Sequence, residues 1–78
     1  MMNTDDKNKF AERLKLFLDE KTYTYIVDIF RYNFNGFVKK IDENKILFED
    51  DELGLIPIRI KEILEVTYSK KNKEEIKE

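Results

Sequence analysis

The spacing of the apolar residues changes period once, at Thr22, and this switch constrains the fold more than any other feature of the chain. Before it, Phe10, Leu14, Phe17 and Leu18 recur at the spacing of one helical face, with Ala11 beside them. Glu12, Lys15 and Asp19 take the opposite face. Thr4, Asp5 and Asp6 suit a helix start, because short oxygen-bearing side chains satisfy free N–H groups and acids complement the dipole. The pattern predicts a polar lead-in over 1–7 and a helix over 6–20 with a single apolar stripe, which must pack on something. After Thr22 the chain is rich in Thr, Tyr, Ile and Val, and a strand is expected over 22–29. Tyr23, Tyr25, Val27 and Ile29 alternate with Thr24, Ile26 and Asp28, and the first set is expected to face the core.

Turn signals divide the rest of the chain into short strands. A turn over 30–33 leads to a second strand over 32–41 that contains Gly36. Glycine inside a strand marks a sharp bend or a close approach of backbone. Asp42, Glu43, Asn44 and Lys45 predict a tight turn, since Asp and Asn side chains bond their own backbone locally. A third strand is expected over 46–48, then an acidic loop over 49–52 whose like charges should stay exposed. The fourth strand, 53–59, holds Pro57, which lacks an N–H and therefore requires an edge, a bulge or a strand end. A helical turn over 60–63, a last strand over 64–69 and a charged, flexible tail over 70–78 complete the chain. One helix before five short strands with short connections predicts a mainly β domain over 1–69. Its form is a five-stranded, strongly bent antiparallel small barrel.

Composition narrows the chemistry. Seventy-eight residues hold one core at most, and a domain this small gains from oligomerisation. The absence of cysteine excludes disulfides, thiolate nucleophiles and thiolate metal sites. The absence of histidine removes the commonest general base and the commonest metal ligand. Neither catalysis nor a cofactor is expected. The spacing over 49–52 lacks the alternating ligands and turn glycine of a calcium loop, so no metal is expected either. The net charge of -2 argues against broad phosphate-driven nucleic-acid binding, although a local basic patch can coexist with it. No apolar run approaches the ~20 residues of a membrane span, and the start is polar and acidic, unlike a secretory signal. The expected location is cytoplasmic, with no membrane partner.

The stretch Phe34-Asn35-Gly36-Phe37-Val38-Lys39-Lys40-Ile41-Asp42 has apolar residues two before and two after a glycine, then an apolar-Asp pair at a loop. It resembles the first motif of the Sm-like (LSm) family, which includes the Hfq-type RNA chaperones. The resemblance implies that Gly36 lets the second strand bend around a barrel and that Asp42 lies in an RNA-binding loop. It also implies that the fourth strand of one subunit pairs with the fifth of the next. The stretch 58–66 is similar to the family's second motif, with Ile60 where that motif has glycine and without the histidine of the Hfq-type run. The segments Ile56-Pro57-Ile58 and Ile60-Lys61-Glu62-Ile63-Leu64 also resemble YolD-like and other small prophage barrels.

Each candidate residue carries two readings. Asp42 and Asn44 could hold a base edge or simply make the turn. Lys39, Lys40 and Lys45 could meet phosphates or form a solvated face. Arg59 could grip a ligand bidentately or pair with Glu49, Asp50 or Asp51. Tyr32 and Phe37, off the expected core face, are the aromatic candidates for an exposed role, whereas Tyr25 and Phe34 are expected to fill the core. Together the resemblance implies a homo-oligomer that binds single-stranded RNA through Lys39, Lys40, Asp42, Asn44, Arg59 and Lys61. The alternative is a protein-interaction adaptor of phage or plasmid type. It would dock on a host or cellular protein through the acidic surface formed by 49–52 with Asp42 and Glu43.

Overall fold

The computed structural model describes residues 2–69, with side chains over 10–69, so the tail expected over 70–78 lies outside the described residues. The element order is α1 (Met2–Asp19), β1 (Thr24–Asp28), β2 (Asn33–Ile41), β3 (Lys45–Asp50), β4 (Gly54–Arg59), the 3₁₀ turn η1 (Ile60–Glu62) and β5 (Ile63–Tyr68). The domain is mainly β, with one helix against a single antiparallel sheet in the order β4-β3-β2-β1-β5. The helix begins at Met2, ahead of the expected start. Thr4, Asp5 and Asp6 thus lie inside its first turns, where acids are favoured by the same dipole that favours them at a cap. No helix among the described residues is long and apolar enough to cross a membrane.

The helix ends in a Schellman motif. The Thr22 N–H donates to the Phe17 carbonyl (2.9 Å) and the Lys21 N–H to that of Leu18 (3.2 Å). Lys21 stands at the left-handed position with φ 54°, where glycine is the usual occupant. Leu14 and Phe17 are buried and Phe10 and Leu18 pack beside them, so the predicted stripe is the one that faces the sheet. Arg13 Nη1 donates to the Val66 carbonyl at 2.9 Å and ties the helix to β5.

Gly36 sits where two backbones nearly touch. A Cβ there would lie 1.8 Å from the Glu49 carbonyl oxygen, so only glycine lets β2 run this close to β3. Beyond it the β2–β3 register slips between Val38 and Lys40, a bulge that adds to the bend. The curl continues at η1. In a flat sheet of this order, β4 and β5 would lie about 19 Å apart, four spacings of ~4.8 Å. Three residues of 3₁₀ helix span only ~6 Å. The sheet must therefore be rolled until its two edges approach one another at that end. No ladder joins β4 to β5 among the described residues, so the strand pairing leaves both edges open.

Pro57 is on an edge strand, as its missing N–H requires. The Ile60 N–H donates to the Asn44 carbonyl (2.9 Å), which makes 44/60 a hydrogen-bonded pair. Alternation along the ladder then makes Leu47/Pro57 a non-bonded pair, with the Pro57 nitrogen turned outward.

Two expectations about burial fail. In β1 the core takes Thr24, Ile26 and Asp28, while Tyr23, Tyr25 and Val27 are half-buried and Ile29 is exposed. Ile26 pairs across the sheet with buried Phe34 on one side and buried Val66 on the other, so it must share their face. The same register turns Tyr25 away from the core that Phe34 occupies. The polar members of the buried set have partners of their own. Thr24 Oγ1 donates to the Thr22 carbonyl (2.8 Å), and Asp28 Oδ1 accepts from the N–H groups of Phe30 (2.9 Å) and Tyr32 (3.0 Å). The second failure is Asp50, expected in an exposed acidic loop but only 7% exposed at the end of β3. Its Oδ1 accepts from Asn35 N (3.0 Å) and its Oδ2 from Glu52 N and Leu53 N (2.9 Å each), so it builds the β3–β4 turn.

Candidate nucleic-acid interface

The 42–45 turn closes with the Asp42 N–H donating to the Lys45 carbonyl at 2.8 Å. The Asn44 carbonyl then takes the Ile60 N–H, fastening this loop to η1. These two bonds place the β2–β3 loop against the β4–β5 connection, segments distant in sequence. Asn44, Lys45, Arg59 and Lys61 line the resulting cavity of about 340 Å³.

Lys45 and Arg59 are direct cross-strand partners in a non-hydrogen-bonded pair, the closer of the two kinds in an antiparallel ladder. Like charges directly opposite destabilise a sheet. Among the described residues Arg59 pairs with Glu62 at 3.9 Å and not with Glu49, Asp50 or Asp51, the alternative partners, which sit at the far end of the β3–β4 ladder. Neither Lys45 nor Lys61 has an ion pair among the described residues. The site is thus a local concentration of cations in a chain of net charge -2.

Of the six residues expected to bind, Asn44, Arg59 and Lys61 come together in this cavity. Asp42 lines an adjoining depression of about 410 Å³ with Glu43, Asn44 and Lys45. Lys39 lies elsewhere. It is the extra residue of the β2 bulge, pairs with Glu49 at 3.6 Å and borders a separate cavity of about 520 Å³ with Leu18, Lys21, Phe37 and Val38. Lys40 is exposed on β2 opposite Leu47 and borders neither. Lys45, a flank of the loop that could also meet phosphates, lines the same cavity because its register sets it against Arg59.

The aromatics divide in the same way. Phe37 is half-buried, its ring 5.3 Å from that of Tyr23, and the Tyr23 hydroxyl donates to Asp51. Tyr32 is 48% exposed, with its ring 4.8 Å from that of Phe34. Phe30, expected only as part of a turn, is 72% exposed. The acidic surface of the adaptor reading loses Asp50 to the interior, while Asp51 stays exposed and accepts from the Tyr23 hydroxyl. The chain matches no family model and no curated protein.

Proposed function

We propose that this chain is an Sm-like, oligomer-forming module that binds single-stranded RNA and performs no catalysis. One observation carries the reading: Lys45 and Arg59 are held face to face beside Lys61 in a cavity, at a cost to the sheet that an anionic ligand would relieve. Phosphate oxygens suit all three cations, and the planar Arg59 guanidinium can grip one bidentately. The Asn44 amide offers both a donor and an acceptor for a base edge or a ribose hydroxyl.

The open strands supply the assembly half of the proposal. Leu55 and Arg59, in the non-bonded pairs of the β3–β4 ladder, turn their N–H and C=O groups outward, and Pro57 offers its carbonyl alone. An open β5 edge on a second copy is the matching surface, and head-to-tail pairing of this kind closes into a ring when the rotation allows. Each copy would then bring its own cationic cavity to a shared RNA path.

The test is fluorescence anisotropy of a labelled single-stranded RNA at several salt concentrations. Affinity is expected to fall with salt. In Arg59→Ala or Lys61→Ala the slope should shrink by about 0.7 for each phosphate no longer neutralised. No binding, or binding indifferent to salt and to both substitutions, would refute the proposal.

A further inference from the structure

We infer that the β1–β2 turn is a second part of this RNA surface, with Phe30 as a platform on which a base stacks. The inference rests on the RNA-binding reading above and adds a segment that the cationic cavity does not contain. The Ile29 N–H donates to the Glu62 carbonyl at 2.8 Å, and the Asn44 carbonyl receives the N–H of Ile60. Both loops are therefore fastened to the same three-residue connector, the one that carries Lys61. Along a 3₁₀ turn of that length the two anchors lie only ~6 Å apart. A single strand that enters the cavity has the β1–β2 turn as its immediate neighbour.

The turn is rigidly built to show its apolar residues. The carboxylate of Asp28, itself only 9% exposed, accepts from Phe30 N and Tyr32 N. The Arg31 N–H donates to the Asp28 carbonyl (2.9 Å) and the Asp28 N–H to that of Tyr32 (3.2 Å). Arg31 is held at φ 68°, a left-handed conformation costly for a side chain of this kind. This buried polar framework presents Phe30, the most exposed large apolar residue described, beside exposed Ile29 and half-exposed Tyr32.

An exposed aromatic next to cations is the pairing that single-stranded nucleic acid uses, rings for the bases and charges for the phosphates. Arg31 adds a cation within the turn, and Arg59, Lys45 and Lys61 continue it across η1. That continuity favours RNA over a protein partner as the occupant.

The chain contains no tryptophan, so Phe30→Trp introduces a unique reporter. Titration of this variant with single-stranded RNA is expected to quench its emission in step with binding followed by anisotropy. Phe30→Ala should weaken binding about 5- to 100-fold, the range of one base stack removed. Leu53→Ala, at an exposed apolar residue on the β3–β4 turn, should leave binding unchanged. RNA binding that is sensitive to Arg59→Ala, with no quenching of the introduced indole and no weakening in Phe30→Ala, overturns the inference and leaves the RNA reading standing. A smaller solution mass in Phe30→Ala with unchanged RNA affinity also overturns it, since a second chain would then be the occupant. No RNA binding by the unmodified protein overturns both.

Discussion

An alanine at position 36 would bring its Cβ to 1.8 Å from the Glu49 carbonyl oxygen, 2.8 Å from that carbonyl carbon and 3.1 Å from the Asp50 Cα. All three are backbone atoms, so no side chain can swing aside. The two strands would have to part by at least ~1 Å, which overpacks a site whose neighbours are fixed. The bonds at risk flank the site. Asp51 N donates to the Asn35 carbonyl (2.8 Å), and Asn35 N donates to Asp50 Oδ1 (3.0 Å). Each partly buried group left unpaired costs ~1–3 kcal/mol, which puts Gly36→Ala at about 3–5 kcal/mol. A domain of this length has about 4–12 kcal/mol in all. At ~4–8 °C per kcal/mol the melting point should fall by more than about 12 °C, or the variant should fail to fold. Gly54→Ala is the contrast. Gly54 has φ +81° but open space around its Cβ position, so only the torsional cost of ~1–2 kcal/mol applies. Thermal unfolding followed by far-UV circular dichroism, at one protein concentration because assembly raises the apparent midpoint, compares the pair. A Gly36→Ala midpoint within about 3 °C of the unmodified protein, or above that of Gly54→Ala, would refute the account of the bend.

Three other substitutions test separate parts of the structure. Asp50→Ala removes the acceptor of three backbone N–H groups and should cost about 2–4 kcal/mol in urea unfolding, with Asp50→Asn in between; an unchanged midpoint would mean that water serves the β3–β4 turn equally well. Lys21→Gly relieves the left-handed helix end and should raise the melting point by up to about 8 °C, whereas a fall would show that the lysine charge at the helix C-terminus outweighs the strain. Leu55→Lys places a charge on the open β4 edge at a residue 59% exposed. It should lower the mass measured by sedimentation while changing subunit stability by less than ~0.5 kcal/mol, and an unaltered mass would contradict use of that edge.

Periodic features are legible in the sequence and non-local polar bonds are not. The stripe of Phe10, Leu14, Phe17 and Leu18 and the special status of Gly36 each follow from residue type and spacing, and Pro57 narrows its own place to an edge, a bulge or a strand end, of which the structure takes the edge. The face of β1 does not, because hydropathy favours Tyr23, Tyr25, Val27 and Ile29 over a set containing Thr24 and Asp28. Only the register, which pairs Ile26 with Phe34 and Val66, decides between them, and a slip of one residue reverses every side chain. Asp50 misleads for a related reason. Its neighbours are acidic and exposed, and the donors that justify its burial include Asn35, fifteen positions away. At the site, Asn44, Arg59 and Lys61 are identifiable from motif positions, whereas the place of Lys45 depends on its pairing with Arg59.

Native mass spectrometry of the chain mixed with a single-stranded RNA oligonucleotide tests assembly and binding in one spectrum. The account predicts a species at an integral multiple, greater than one, of the 9.5 kDa subunit that retains bound RNA and loses it as salt is raised. A lone 9.5 kDa chain with no RNA attached, even at low salt, would contradict it.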